Sequence, residues 1–161
     1  MRKTLFMIVA GLILAWIGAA LAADPPKPGD LKEVALVQEK GVKGEAKGKL
    51  VINTANGTDL AIQVTGLDPK GVYTAFFVNI KSKMFEGIGP DPHVLKANEK
   101  GEAEFKGTMK KDTYKRFVAV GVYLNPGGKP IGNPVGTPGR DELGTLIKKD
   151  KPVLILQGKL R

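Results

Sequence analysis

The sequence predicts an all-β fold, a single-domain antiparallel β-sandwich of Greek-key type with about seven to eight strands, immunoglobulin-like in outline. Three observations carry that expectation. From residue 31 onward, short runs rich in Val, Ile, Thr and aromatic residues are separated by Gly, Pro, Asn and Asp at close intervals, and no helix of ordinary length has room to form. At 161 residues, 42% of them hydrophobic, the chain suits one domain with a real core. It has no cysteine, so that core must be held by apolar packing and backbone hydrogen bonds alone.

The first 22 residues read as an export signal. Arg2 and Lys3 form a positive start, Leu5 to Leu21 is an apolar run, and Ala20-Leu21-Ala22 offers the small residues a signal peptidase reads. Cleavage would leave a periplasmic or extracellular protein beginning near Ala23. Retention would leave a membrane anchor, since the apolar run approaches spanning length. Residues 23–30 form a Pro-rich linker, DPPKPG at its centre, and the sandwich occupies 31–161.

Strands are expected at Lys32–Glu39, Gly44–Thr54, Thr58–Thr65, Val72–Ile80, Val94–Ala97, Glu102–Thr108, Phe117–Leu124 and Pro152–Leu160, with one helical turn within Lys110–Lys115. The second and third strands fix a register. A two-residue turn at Asn56-Gly57 would set Lys49, Val51 and Asn53 against Leu60, Ile62 and Val64. A three-residue loop, Ala55-Asn56-Gly57 with Gly57 left-handed, sets Ile52 against Leu60 and Leu50 against Ile62, so the apolar faces coincide. The second arrangement is predicted. Val72–Ile80 is apolar on both faces and is therefore central, with Phe76 expected in the core between the sheets and Phe77 under a loop.

Gly41 to Thr108 resembles the exported sandwich domains related to copper-zinc superoxide dismutase. The likeness lies in KGEAKGKLVINT, then QVTGLDPKG, which matches a "V-x-GL-x-PG" turn, then YTAFFVN, and NEKGEAEFKG for a later "G-x-A" strand. In that family the strand after the turn carries two metal-binding histidines; here Phe77 and Asn79 stand in their places, so the resemblance implies the fold without dismutase chemistry. RFVAVGVYLNPGGKPIGNPVGTPG resembles the end of the extracytoplasmic sandwich of some anti-sigma factors, which again speaks to fold only.

Chemistry-bearing residues are sparse. His93 is the one histidine and Ser82 the one serine, and no nucleophile elbow surrounds that serine. No catalytic residue and no cofactor is expected. The first candidate site is the long connection Ile80–Leu95. It holds His93, Asp91 and Glu86 as weak metal candidates and Lys81, Lys83, Met84 and Phe85 as candidate partner contacts, with Met84 and Phe85 read either as an apolar tip or as a plug for the end of the sandwich. The second is the Gly-Pro-rich stretch Asn125–Gly144, with Arg140 as a partner contact. Formal net charge is +9, supplied almost wholly by dispersed lysines, which favours encounters with anionic surroundings. Three function classes follow: an exported non-catalytic domain that binds or scaffolds an envelope protein, a metal-binding or redox-accessory protein of dismutase-like descent, and a lysine-based binder of anionic envelope polymers. Specific nucleic-acid binding is not among them, because interleaved aromatics and arginine forks are missing.

Overall fold

The computed structural model describes residues 27–79, 81–82, 84–126, 128–130 and 152–161. The expected signal segment, most of the Pro-rich linker, Lys83, and the 131–151 part of the second candidate loop with Arg140 lie outside them. Among the described residues, nine strands run in order: β1 (Leu31–Gln38), β2 (Lys47–Asn53), β3 (Asp59–Thr65), β4 (Tyr73–Asn79), β5 (Met84–Gly87), β6 (Val94–Leu95), β7 (Ala103–Thr108), β8 (Ala119–Leu124) and β9 (Val153–Lys159). A 3-10 turn at Thr113–Arg116 realises the expected helical turn. A second, at Pro28–Asp30, leads into β1.

The strands make one antiparallel sheet in the order β5-β4-β8-β9-β1-β2-β3-β7, with β6 also on β4. The sheet curls on itself as a sandwich. β1 serves both halves: Leu31 to Leu36 pair with β2, and Val37 and Gln38 pair with Gln157 and Leu156 of β9. β7 returns to lie beside β3, and β8 beside β4, which is connectivity of the Greek-key kind. Between the halves sits one apolar core, with Leu50, Ile52, Ile62, Phe77, Val120 and Leu156 at its centre.

The β2–β3 register is the one the apolar pattern requires, with Leu50 opposite Ile62 and Ile52 opposite Leu60. Gly57 is left-handed at φ 69°, as that hairpin needs. The connection is longer than three residues, because the strands stop at Asn53 and Asp59 and the Gly57 N–H donates to the Asn53 carbonyl. Two asparagine side chains account for the extra length. Asn53 Oδ1 accepts the N–H groups of Ala55 and Asn56, and Asn56 Oδ1 accepts those of Thr58 and Asp59, so local side-chain acceptors displace the last ladder bonds.

On β4, the expectation of two-sided burial holds and the choice of faces is reversed. Tyr73, Ala75 and Phe77 point into the core, where Phe77 stacks on Phe117 with ring centres 5.8 Å apart. Phe76 lies on the outer face against Phe85, His93 and Tyr123. The neighbouring strands decide the matter. Phe77 is paired with Val120, a core residue, whereas Phe76 is paired with Gly121 on one side and Gly87 on the other, where no side chain occupies the space a ring needs.

Replacing Phe77 by Ala should therefore lower the free energy of unfolding by about 3–5 kcal/mol. The change Lys47→Ala, at the exposed start of β2, should stay within about 0.5 kcal/mol. Urea titration of both variants followed by tryptophan-independent circular dichroism measures the contrast.

Candidate functional site

The edge of β4 is covered twice. β5 pairs with Phe76 to Asn79, and β6 pairs with Tyr73 and Thr74. Ala75, between them, receives the Ile88 N–H at its carbonyl and donates its own N–H to the His93 carbonyl, at 2.9 and 3.2 Å. Residues 88–93 are thus pinned at both ends by a single residue of β4 and looped out between. Gly89 is left-handed at φ 89° and His93 at φ 61°, the Asp91–Pro92 peptide is cis, and the His93 N–H closes the turn on the Pro90 carbonyl at 2.6 Å. Such a turn chemistry suits the Gly-Pro-Asp-Pro text of the segment.

His93 is buried, 6% exposed. Its Nδ1 lies 2.7 Å from the Gly89 carbonyl oxygen; since a carbonyl can only accept, Nδ1 carries the hydrogen. In the neutral ring Nε2 is then a bare lone pair. That atom is buried and has no hydrogen-bond partner among the described residues, and the nearest carboxylate oxygen, Asp91 Oδ1, is 3.9 Å away on a largely exposed side chain. The ring meets Phe76 edge-on at 5.6 Å and lies directly over Gly87, where a Cβ would collide with it.

Beside the loop a cleft of about 420 Å3 opens between the free margins of β5 and β7. Leu60, Ile88 and Met109 supply apolar lining, His93 forms part of one wall, and Glu86 and Lys110 bring opposite charges to it. Glu86 also faces Arg116 at 3.6 Å. Phe105 of β7 packs beneath Gly89, so the loop seals the gap between the sheets next to the cleft.

Within Ile80–Leu95, where a strand is expected only from Val94, the chain also supplies β5. Of the two readings of Met84 and Phe85, burial rules out the exposed tip: Met84 is half-buried and packs against the core, and Phe85 is half-buried with its ring 6.5 Å from Phe76. The alternation that puts Met84 and Glu86 inward and Phe85 and Gly87 outward appears only once β5 pairs with β4. Lys81 is exposed in the preceding turn. Among the described residues, no group of three or more His, Asp or Glu side chains is placed to hold a metal ion, so His93 and Asp91 make a two-donor pair and Glu86 does not complete it. Phe77 and Asn79 serve structural roles: Phe77 lies in the core and Asn79 Nδ2 donates to the Arg116 carbonyl.

Leu60, Thr108, Met109 and Lys110 are site residues that the sequence reading missed. They reach the cleft through the β3–β7 pairing, which joins segments far apart in the chain and leaves no local signal. Comparison of the chain with models of protein families, with curated proteins and with solved structures finds no match.

Tyr123 completes the outer aromatic layer, 6.1 Å from Phe76, its ring over Gly121. Burial pushes its phenol up to about 12, and the charge of Glu39 adds to the effect. An unfolded phenol loses its proton near its ordinary value of about 10 while the folded one keeps it, so the stability present below pH 10 is lost as pH rises from about 10 to about 12. The loss attributable to Tyr123 should reach about 2–3 kcal/mol, and urea midpoints against pH should show a shallower fall in Tyr123→Phe. Gly87→Ala should displace the imidazole and cost about 1–3 kcal/mol. In that variant the His93 ring proton resonances should lose the ring-current shift imposed by Phe76.

Proposed function

We propose that this chain is an exported, non-catalytic binding domain of the cell envelope and that the cleft beside His93 is its ligand seat. The observation that carries the reading is the imidazole itself. A buried acceptor without a partner costs about 1–3 kcal/mol, and a fold retains such a group most readily where something else supplies the missing hydrogen. A ligand N–H or O–H at Nε2 would do so. The apolar lining of Leu60, Ile88 and Met109 suits a hydrocarbon or ring portion of the ligand, while Glu86 and Lys110 suit a dipolar or charged end. An envelope peptide or glycan carries both features. The export features of the N-terminal sequence supply the location.

The metal-binding alternative leans on the same nitrogen, and a hydrogen bond from Nδ1–H to a carbonyl is one way metal-ligating histidines are oriented. It is the weaker reading, since copper and zinc sites converge more donors than His93 and Asp91 provide.

The test uses His93→Phe, which keeps ring volume and the edge contact with Phe76 while removing the Nε2 acceptor together with the Nδ1–H bond to the Gly89 carbonyl. Immobilised protein should retain a component of an envelope extract that free protein competes off, and the variant, with an unfolding midpoint close to that of the unaltered chain, should retain at least tenfold less. Equal retention by both proteins, or no specific retention by the unaltered chain, would remove the cleft as the seat.

A further inference from the structure

The strand order ends on β5 and on β7, so among the described residues each of these has a strand on one side only. In an antiparallel ladder alternate residues turn both backbone groups to the partner strand, and the residues between them turn theirs away. Two hydrogen bonds fix which are which. Ile88 N–H donates to the Ala75 carbonyl, so by the β4–β5 register Met84 and Glu86 also bond to β4, and the N–H and C=O groups of Phe85 and Gly87 face the open margin. Met109 N–H donates to the Thr58 carbonyl, so along β7 Ala103, Phe105 and Gly107 bond to β3 while the backbone groups of Glu104 and Thr108 face outward. Gly87 and Thr108 both line the cleft beside His93. Its two walls therefore present ladder groups that no described strand meets.

A free strand edge is a template, because its amides and carbonyls already stand at the spacing a further strand requires. At Gly87 a second unmet group joins them. The His93 ring lies over that glycine, and its Nε2 is buried without a hydrogen-bond partner among the described residues, so three unmatched hydrogen-bonding groups converge on one rung of β5. Charge adds a third feature. Glu86 faces Arg116 at 3.6 Å, whereas the exposed Lys110 makes no ion pair among the described residues, which leaves the cleft with an uncompensated cation on its β7 side.

We propose that the occupant of the cleft is an extended polypeptide segment that adds to β5 as a further strand, a proposal that rests on the cleft being the ligand seat and names the class of ligand. The segment bonds through its backbone to Gly87 and Phe85 and sets the carboxylate of an acidic residue against Lys110. A peptide fits because its N–H and C=O groups recur with the repeat of the ladder itself, whereas a glycan offers hydroxyls without that repeat. Side chains of an added strand alternate between faces. Those on the face of Glu86 and Ile88 point toward Leu60 and Met109, so the segment carries apolar residues at every second position.

The probe is a phage-displayed library of random eight-residue peptides, selected on the immobilised 161-residue chain in mild detergent against an unrelated protein. The most enriched sequence, made as an acetylated and amidated peptide, should show alternating apolar residues and an acidic one. At saturation, amide exchange followed by NMR should slow at least tenfold at Phe85 and Gly87, while Glu104, on the free margin of β7 outside the cleft, should not change. N-methylation of every second peptide residue should weaken binding at least tenfold in one phase and less than threefold in the other. Lys110→Glu should weaken it at least fivefold with the unfolding midpoint unchanged. No enriched peptide, no slowing at Phe85 and Gly87, or an equal effect of N-methylation in both phases would overturn strand addition. If the envelope component is then still retained in a His93-dependent way, the cleft stands as the seat and a glycan is its occupant; equal retention by His93→Phe is the separate result that removes the seat itself.

Discussion

Two missing side chains govern the outer face of β4. Gly87 and Gly121 flank Phe76 on its paired strands, and the space they leave is filled by His93 above one and Tyr123 above the other. A strand that would otherwise turn one row of side chains to water is thereby buried on both faces, from Tyr73 to Val78. Everything at the candidate site follows from this. The imidazole has to lie flat over Gly87, the loop must bend sharply at Gly89 and His93 to bring it there, and the bend carries the ring to the wall of the cleft. A small aromatic layer outside the main core thus converts a connection between two short strands into a fixed piece of structure.

Much of the fold could be read from residue pattern. The β2–β3 register followed from the parity of Leu50, Ile52, Leu60 and Ile62, because slipping by one residue would have turned four apolar side chains to solvent. The one-turn helix before β8 and the strand limits near it were also legible. Parity gave no answer for β4, where both rows are apolar, and there the faces depended on glycines in strands paired from far along the chain. β5 was hidden for a related reason. Met84-Phe85-Glu86-Gly87 has little strand character by itself and becomes a strand because the edge of β4 offers unpaired amides.

The candidate site was legible by half. A lone histidine in a Pro-Gly connection was visible, and so was its carboxylate neighbour Asp91. The role of that histidine was not, since its burial comes from Phe76 and Gly87, and the second wall of the cleft comes from the end of β7.

The seam at β1 has a mechanical meaning. Its bond to β9 runs through Val37 and Gln38 and one further amide, from Glu39 to Ile155, whereas the pairing with β2 extends over most of the strand. Val37, at that seam, is 66% exposed, so little apolar burial reinforces it there. The sandwich is a folded-over ribbon closed by a short clasp. Transient parting of the clasp would let the two halves breathe like a book while each keeps its internal ladder, and fast deuterium uptake confined to Glu39 and Gln157 would be its signature.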